Sequence, residues 1–151
     1  MLEPDVVTLS YRLAQLNRRA TAERMAQETW AHEAGFRPGC IGVLRVVAAR
    51  DAVSQREVSD ELMLDPSDLV SLVDILERAG MVQRQRDPAD RRRYALQLTP
   101  AGRRAVLRLT EISQQINAEL LAPLAPAERE QLAALLARVV QHRTAAARVA
   151  G

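Results

Sequence analysis

Arginines concentrated in one stretch of the chain are the residues with the clearest chemical potential. The chain has 151 residues, 21 of them basic and 19 acidic, for a net charge of +2. The segment 78–108 contains nine arginines against two aspartates, a net of +7, so the remainder carries −5. The nine are Arg78, Arg84, Arg86, Arg91, Arg92, Arg93, Arg103, Arg104 and Arg108. A basic block in an otherwise acidic chain is typical of a surface that binds a polyanion.

Other chemistries have little support in the sequence. His32 and His142 lie far apart, and there is no Gly-rich phosphate loop, Ser/His/Asp spacing or metal-ligand spacing. We therefore expect that the protein is not an enzyme and that it binds no metal ion and no cofactor. The single Cys40 excludes an internal disulfide and agrees with a reducing compartment. Because no signal peptide or long apolar run is evident, we expect a cytoplasmic protein with no membrane partner.

Two short helices with a tight turn are predicted just before the basic block. Ser54 and Glu57 have the spacing of a capping box, in which each side chain satisfies a free backbone N–H. Asp65 and Pro66 then form an N-cap and a first helical residue, and Gly80 ends the second helix. The predicted buried stripe of this second helix is Leu69, Leu72, Val73 and Leu76.

A β-hairpin is predicted to follow. The pattern has period two, in which Val82, Arg84 and Arg86 alternate with Gln83 and Gln85, and Tyr94, Leu96 and Leu98 alternate with Ala95 and Gln97. The loop 87–93 starts with turn-forming residues and ends in three arginines. Thr99 and Pro100 then begin another helix. Arg91, Arg92 and Arg93 are therefore predicted to lie at the tip of a hairpin.

Longer helices flank this region. Glu3-Pro4-Asp5 resembles a helix start with Pro4 at the first position, which predicts a first helix of roughly 25 residues. A second helix opening at Arg37-Pro38-Gly39 is predicted to be almost wholly buried, and two more follow Pro100, separated by breaks at Pro123 and Pro126. The fold class is mainly α with a small β-hairpin wing. We expect a single domain 1–151, with a winged helix-turn-helix at 37–99 and a helical dimerisation region at 1–36 and 100–148.

The central motifs resemble those of the MarR family of transcriptional regulators. The resemblance covers almost the whole chain and is strongest from Ser54 to Gly102. The motifs that carry it are Leu64-Asp65-Pro66-Ser67, Leu72-Val73-Asp74, Leu76-Glu77-Arg78-Ala79-Gly80, Asp87-Pro88-Ala89-Asp90-Arg91-Arg92-Arg93 and Leu98-Thr99-Pro100-Ala101-Gly102. The resemblance implies a homodimer that binds a pseudo-palindromic operator in double-stranded DNA, acts as a repressor and is released by a small ligand.

The resemblance also implies roles for individual residues. In the family's wing an aspartate orients the loop and an arginine two residues later reaches the DNA, and Asp90 and Arg92 occupy these positions. The predicted DNA-binding residues are Ser54, Gln55, Ser67, Asp68, Ser71, Arg84, Arg86, Asp90, Arg91, Arg92 and Arg93.

The recognition helix departs from the family pattern. Many members present a basic side chain near position 71. This chain has Ser71 there, and its neighbours on the predicted exposed face are Val70 and Asp74. Without an arginine there, specificity is expected to come from hydroxyls, the wing and DNA shape. A winged-helix module that binds protein instead of DNA stays open as the alternative.

Two further features have a functional and an ordinary interpretation. Trp30, His32, Phe36 and Arg37 lie where related proteins bind aromatic acids, so they either line a pocket for an anionic aromatic ligand or pack a helix corner. Cys40 is either a small core residue or a peroxide sensor.

Overall fold

The computed structural model describes residues 5–50, 52–87, 90 and 92–149, with side chains as far as residue 142. The helices in this part of the chain are α1 (Val6–Met25), α2 (Thr29–Glu33), α3 (Pro38–Ala48), α4 (Gln55–Leu62), α5 (Pro66–Arg78), α6 (Pro100–Leu120) and α7 (Pro126–Val149). The strands are β1 (Val53–Ser54), β2 (Val82–Arg86) and β3 (Tyr94–Leu98). The predicted fold class, mainly helical with a small wing, is confirmed.

Local side chains set the ends of the helix-turn-helix. The Ser54 hydroxyl accepts from the Glu57 N–H at 3.2 Å, and the Glu57 carboxylate accepts from the Ser54 N–H at 2.9 Å, which confirms the capping box. Asp65 caps α5 by accepting from the Ser67 N–H at 2.9 Å. Between the helices, Met63 adopts a left-handed conformation with φ of 52°. The turn therefore reverses the chain without a glycine, a conformation that costs a side chain with a Cβ about 1 kcal/mol.

The wing is part of a three-stranded antiparallel sheet in the order β1-β3-β2. Strands β2 and β3 pair as predicted, with Arg84 opposite Leu96 and Arg86 opposite Tyr94. The predicted two-stranded hairpin was incomplete, because Val53 and Ser54 add a third strand beside β3. This strand ties the start of α4 to the base of the wing.

The core lies under the helix-turn-helix. Helix α3 contributes five buried residues, which are Cys40, Val43, Leu44, Val46 and Val47. The predicted stripe of α5 is buried as well. Four leucines that are each at most 1% exposed belong to one core cluster: Leu44, Leu69, Leu76 and Leu96. Truncating such a leucine costs roughly 2–5 kcal/mol. Helices α3 and α5 and strand β3 therefore form a rigid base for the wing and the exposed face of α5.

The N-terminal helix differs from its prediction. Asp5 is the N-cap, with its carboxylate accepting from the Thr8 N–H at 2.8 Å, so the helix begins at Val6. The predicted first position, Pro4, lies outside the described residues. The single helix of roughly 25 residues was wrong, because α1 ends at Met25 and a separate α2 follows. Helix α1 buries none of its side chains within the chain. Val6, Val7, Leu9, Tyr11 and Leu16 are all exposed.

The chain forms two compact units, residues up to 114 and residues from 115. In the second unit, apolar side chains of α7 are largely exposed, with Leu135, Leu136, Val139 and Val140 between 42% and 64% accessible. The division into dimerisation and DNA-binding regions stays a prediction. None of the described helices has the length and apolar character that crossing a bilayer requires.

Candidate nucleic-acid interface

The outer face of α5 is polar and carries no cation in its first two turns. Ser67, Asp68, Val70, Ser71 and Asp74 are all exposed. The Ser67 hydroxyl donates to the Asp65 carboxylate at 2.6 Å, and the Ser71 hydroxyl donates to the Ser67 carbonyl at 3.1 Å. The bonds from Ser67 hold the pKa of Asp65 below its usual range. Because both hydroxyl hydrogens are used internally, this face offers acceptors and one apolar side chain, Val70.

A groove lies where the start of α4 meets the base of the wing. It has a volume of about 340 Å³ and is lined by Ser54, Gln55, Arg56, Arg93 and Tyr94. The Ser54 backbone N–H and hydroxyl lower the pKa of the Glu57 carboxyl, so Glu57 is ionised and committed to the helix cap. Two arginines beside a helix N-terminus make the groove suited to a phosphate group.

Asp90 organises the tip of the wing. Its carboxylate accepts from the Arg92 N–H at 3.0 Å, and its carbonyl accepts from the Arg93 N–H at 2.9 Å. The loop is closed by the Asp87 N–H, which donates to the Arg93 carbonyl at 2.9 Å. These three bonds hold the backbone of Arg92 and Arg93 relative to Asp87 and Asp90. The orienting role of Asp90 in DNA binding stays a prediction.

The wing arginines differ in their surroundings. Arg92 and Arg93 are exposed, and the Arg92 guanidinium has no intramolecular partner within the described part of the chain. Arg93 lies 3.6 Å from the Asp90 carboxylate and keeps 70% of its side chain exposed. The Arg86 guanidinium carbon lies 5.9 Å from the centre of the Tyr94 ring, a cation–π contact. Arg91, also predicted to bind DNA, lies outside the described residues.

Arg84, predicted to bind DNA, is held by contacts within the protein. Its Nε donates to Gln55 at 2.9 Å, its Nη2 pairs with Asp74 at 2.8 Å, and its Nη1 pairs with Glu77. Only 24% of the side chain is exposed. The prediction followed the alternation along β2, which identifies the face of a residue but not its partners in other elements. All three guanidinium nitrogens are therefore engaged within the protein.

The predicted ligand-binding corner is packed by its own residues. Trp30 and Phe36 meet edge to face, with ring centres 5.2 Å apart. The Trp30 indole N–H donates at 2.7 Å to Glu28, whose carboxylate also accepts from Arg108 at 2.6 Å. Arg108 thereby lowers the pKa of Glu28. Sequence reasoning missed the pairing of Glu28 with Arg108, because the two residues are 80 positions apart.

The other two residues of this corner are at the surface. His32 is exposed and one ring nitrogen lies 3.0 Å from the Ala26 carbonyl. Arg37 is the exposed N-cap of α3. The structure therefore brings Trp30 and Phe36 together and leaves His32 and Arg37 on the solvent side.

Cys40 fits the core interpretation. None of its surface is exposed, and burial raises the pKa of the thiol. A sensor cysteine needs an accessible thiolate, and Cys40 has neither the access nor the lowered pKa. Within the described residues, no cluster of His, Cys, Asp and Glu could hold a metal ion.

A helix-turn-helix followed directly by a basic, internally braced hairpin defines a winged helix-turn-helix protein. A family model described as MarR family matches residues 34–93. A Thauera aromatica protein assigned to transcriptional regulation of the hcr operon is 36% identical over 105 residues, which cover 70% of this chain and 63% of that protein. The solved PcaV transcriptional regulator of Streptomyces coelicolor is 31% identical, with a TM-score of 0.64 and coverage of 89% and 94% of the two chains.

BpsR of Bordetella bronchiseptica, whose DNA binding is regulated by 6-hydroxynicotinic acid, has the same fold. It is 23% identical, with a TM-score of 0.75 and coverage of 93% of this chain and 96% of that chain. The chain belongs to the MarR family. The aligned region spans 63% of the length of the Thauera protein, less than two thirds. These relatives are transcriptional regulators and not enzymes.

Proposed function

We propose that this protein is a transcriptional regulator that binds double-stranded DNA as a homodimer, with α5 in the major groove and the wing over the adjacent backbone or minor groove. The observation that carries the proposal is the wing tip, where Asp90 holds the Arg92 N–H and the Arg92 guanidinium has no partner among the described residues. Backbone that is already held by such bonds loses little entropy on docking. The guanidinium groups of the wing can release counterions from phosphates or enter a narrow minor groove.

Two exposed apolar surfaces support the homodimer. One lies on α1 and includes Val6, Val7 and Tyr11, each at least 65% exposed. The other lies on α7 and includes Val139 and Val140, at 63% and 64% exposed. Apolar side chains gathered on one element in this way mark a protein contact more often than bare surface. A two-fold dimer would present two copies of α5 to half-sites about one helical turn, roughly 10 bp, apart.

The test is binding of the purified protein to the DNA upstream of its own gene, followed by fluorescence anisotropy and footprinting. Arg92→Ala should weaken binding by roughly 1–3 kcal/mol if the side chain reads the groove. Arg19→Ala is the matched control, because it removes an arginine that is 82% exposed on α1. Symmetric protection of two half-sites supports the proposal. Full affinity of a folded Arg92→Ala protein would instead favour the protein-binding module.

Repression, relieved by a small anionic aromatic ligand, completes the proposed function. The Trp30–Phe36 pair offers an aromatic surface, and Arg108 lies against the Glu28 carboxylate that Trp30 also binds. A ligand carboxylate that displaced Glu28 would find a cation and an indole N–H already placed. Salicylate should then quench Trp30 fluorescence and weaken DNA binding with one shared midpoint, whereas neutral salicylamide should do neither.

A further inference from the structure

The charge of α5 is unfavourable for a helix that approaches DNA. Its thirteen residues include three acids, Asp68, Asp74 and Glu77, against one base, Arg78, for a net of −2. A major groove is bordered by phosphates, and unpaired carboxylates placed between them are repelled. Some other element of the protein has to supply the compensating charge.

Arg84 supplies a positive charge at the right place. Asp74 and Glu77 are three positions apart and so lie on one side of α5, facing β2. The Arg84 Nη2 lies 2.8 Å from Asp74, and Nη1 pairs with Glu77. Partial burial acts to lower the pKa of Arg84, but the two carboxylates outweigh burial and raise it. Arg84 therefore stays charged between two acids.

The same side chain also links three elements of the interface. Arg84 lies on β2, its acidic partners lie on α5, and its Nε donates to Gln55 at the start of α4 at 2.9 Å. A guanidinium has a rigid fork of donors, so bonds to three partners define the position of α5 relative to the wing. With 24% of its side chain exposed, compared with 70% for Arg93, Arg84 is directed into the protein.

Resting on the DNA binding proposed above, we propose that Arg84 is a positioning residue for DNA recognition that neutralises Asp74 and Glu77 and holds α5 against β2 without touching the DNA. Its contribution to affinity therefore depends on the two carboxylates. A residue that bound phosphate or a base would contribute whether or not they were present.

A mutant cycle separates these two mechanisms. In the otherwise wild-type protein, Arg84→Gln should weaken operator binding by about tenfold or more, because two carboxylates are left unpaired beside phosphates. In the Asp74→Asn/Glu77→Gln background, the same Arg84→Gln change should alter affinity less than about threefold. Arg19→Gln makes the same change in net charge away from this cluster and should leave affinity within about twofold of wild type.

Salt dependence distinguishes charge neutralisation from simple distortion of the helix. The loss of operator affinity caused by Arg84→Gln should be larger at about 0.05 M salt than at about 0.3 M salt, because salt screens the exposed carboxylates. A loss that arose from a displaced helix alone would not depend on salt in this way. Circular dichroism and urea unfolding of each variant confirm that the proteins compared are folded.

An equal loss in both backgrounds would overturn the proposal, as would no loss in the wild-type background or a loss that does not change with salt. If Arg84→Gln alone does not fold, the triple and double variants still decide, because neither has an unpaired acid at these positions. A triple variant that binds much more weakly than the double variant would show direct contact with DNA. Absence of operator binding by the wild-type protein would instead contradict the proposed function itself.

Discussion

Asp90 provides a test in which geometry and simple electrostatics predict opposite signs. Its carboxylate accepts from the Arg92 N–H at 3.0 Å and orients the wing loop. We expect Asp90→Ala to weaken operator binding, although it removes a negative charge from a DNA-facing surface, because the loop would lose its fixed shape. Binding isotherms at constant salt measure the change.

The control for this prediction is Asp60→Ala. Asp60 is 74% exposed on α4 and pairs only distantly with Arg56, at 3.9 Å, so the substitution changes the charge without reshaping a loop. Tighter binding by Asp90→Ala, equal to any gain in the control, would mean that the wing acts as an unstructured cationic patch.

Glu57 makes stability depend on pH. Bonds from the Ser54 backbone and hydroxyl lower the pKa of Glu57 below its ordinary value of 4.5. A carboxyl whose pKa is lower in the folded state contributes stability above its unfolded pKa and loses it as pH falls through the folded pKa. Glu57→Gln keeps a capping side chain but removes the charge. We therefore expect the variant to be less stable than wild type by roughly 0.5 kcal/mol near pH 6.

This difference should shrink as the pH falls below 4.5 and through the lowered pKa of folded Glu57, because the protonated carboxyl resembles glutamine. Urea unfolding at a series of pH values measures it. A difference that stayed constant across this range would show that the charge on Glu57 has no part in the cap.

At the scale of elements, the approach of α6 to the strand region depends on Gly102. A Cβ built at this position would lie 1.9 Å from the Met81 carbonyl oxygen, which also accepts from the Thr99 N–H at 3.0 Å. Alanine is ordinarily better than glycine in a helix by about 1 kcal/mol. Gly102→Ala should nevertheless destabilise the protein by several kcal/mol, because backbone must move.

Gly42→Ala is the matched control. Gly42 is also helical, but its added Cβ would meet only the Leu62 side chain, at 3.2 Å. Because a side chain can move aside, we expect a change within about 1 kcal/mol of wild type. Equal stability of the two variants in thermal unfolding would contradict the proposed role of Gly102.

The helix-turn-helix was predictable because its boundaries depend on neighbours in sequence. Ser54 bonds to Glu57 and Asp65 bonds to Ser67, so bonds that span two or three residues specify both helix starts. Strand β1 was missed because two residues are too short to show a period. The end of α1 was missed because no glycine or proline marks it, and α2 begins at Thr29 without a side-chain bond from its N-cap Glu28.

The roles of Asp90 and Arg92 at the wing tip were implied by the family resemblance, and the bond between them spans two positions. The partners of Arg84 were not predictable from alternation along β2. They depend on how β2 packs against α5, which is a property of the tertiary structure. Glu28 and Arg108 likewise meet only after folding brings α6 beside the start of α2.

At the scale of the whole molecule, we expect a dimer at micromolar concentration. Leu136→Asp combined with Val139→Asp places two charges on the exposed apolar face of α7, where the wild-type side chains are 42% and 63% accessible. Burying those charges in an interface would cost several kcal/mol, so the variant should sediment as a monomer and bind the operator weakly.

Met63→Asp is the control, because Met63 is 91% exposed in the turn between α4 and α5, outside the predicted dimerisation region. It should leave sedimentation unchanged. A wild-type protein that sediments only as a monomer would contradict the dimer and the two-fold operator together.

Because Cys40 is completely buried, the rate at which its thiol is labelled measures transient opening of the core around α3 and α5. A thiol reagent reaches this sulfur only while the core is open. When reclosing is fast, the labelling rate equals the rate for a free thiol multiplied by the population of the open state. Each tenfold slowing then corresponds to about 1.4 kcal/mol of extra resistance to opening. Operator DNA that binds only the closed form should slow the labelling, and because the chain has a single cysteine, the measurement needs no engineered probe.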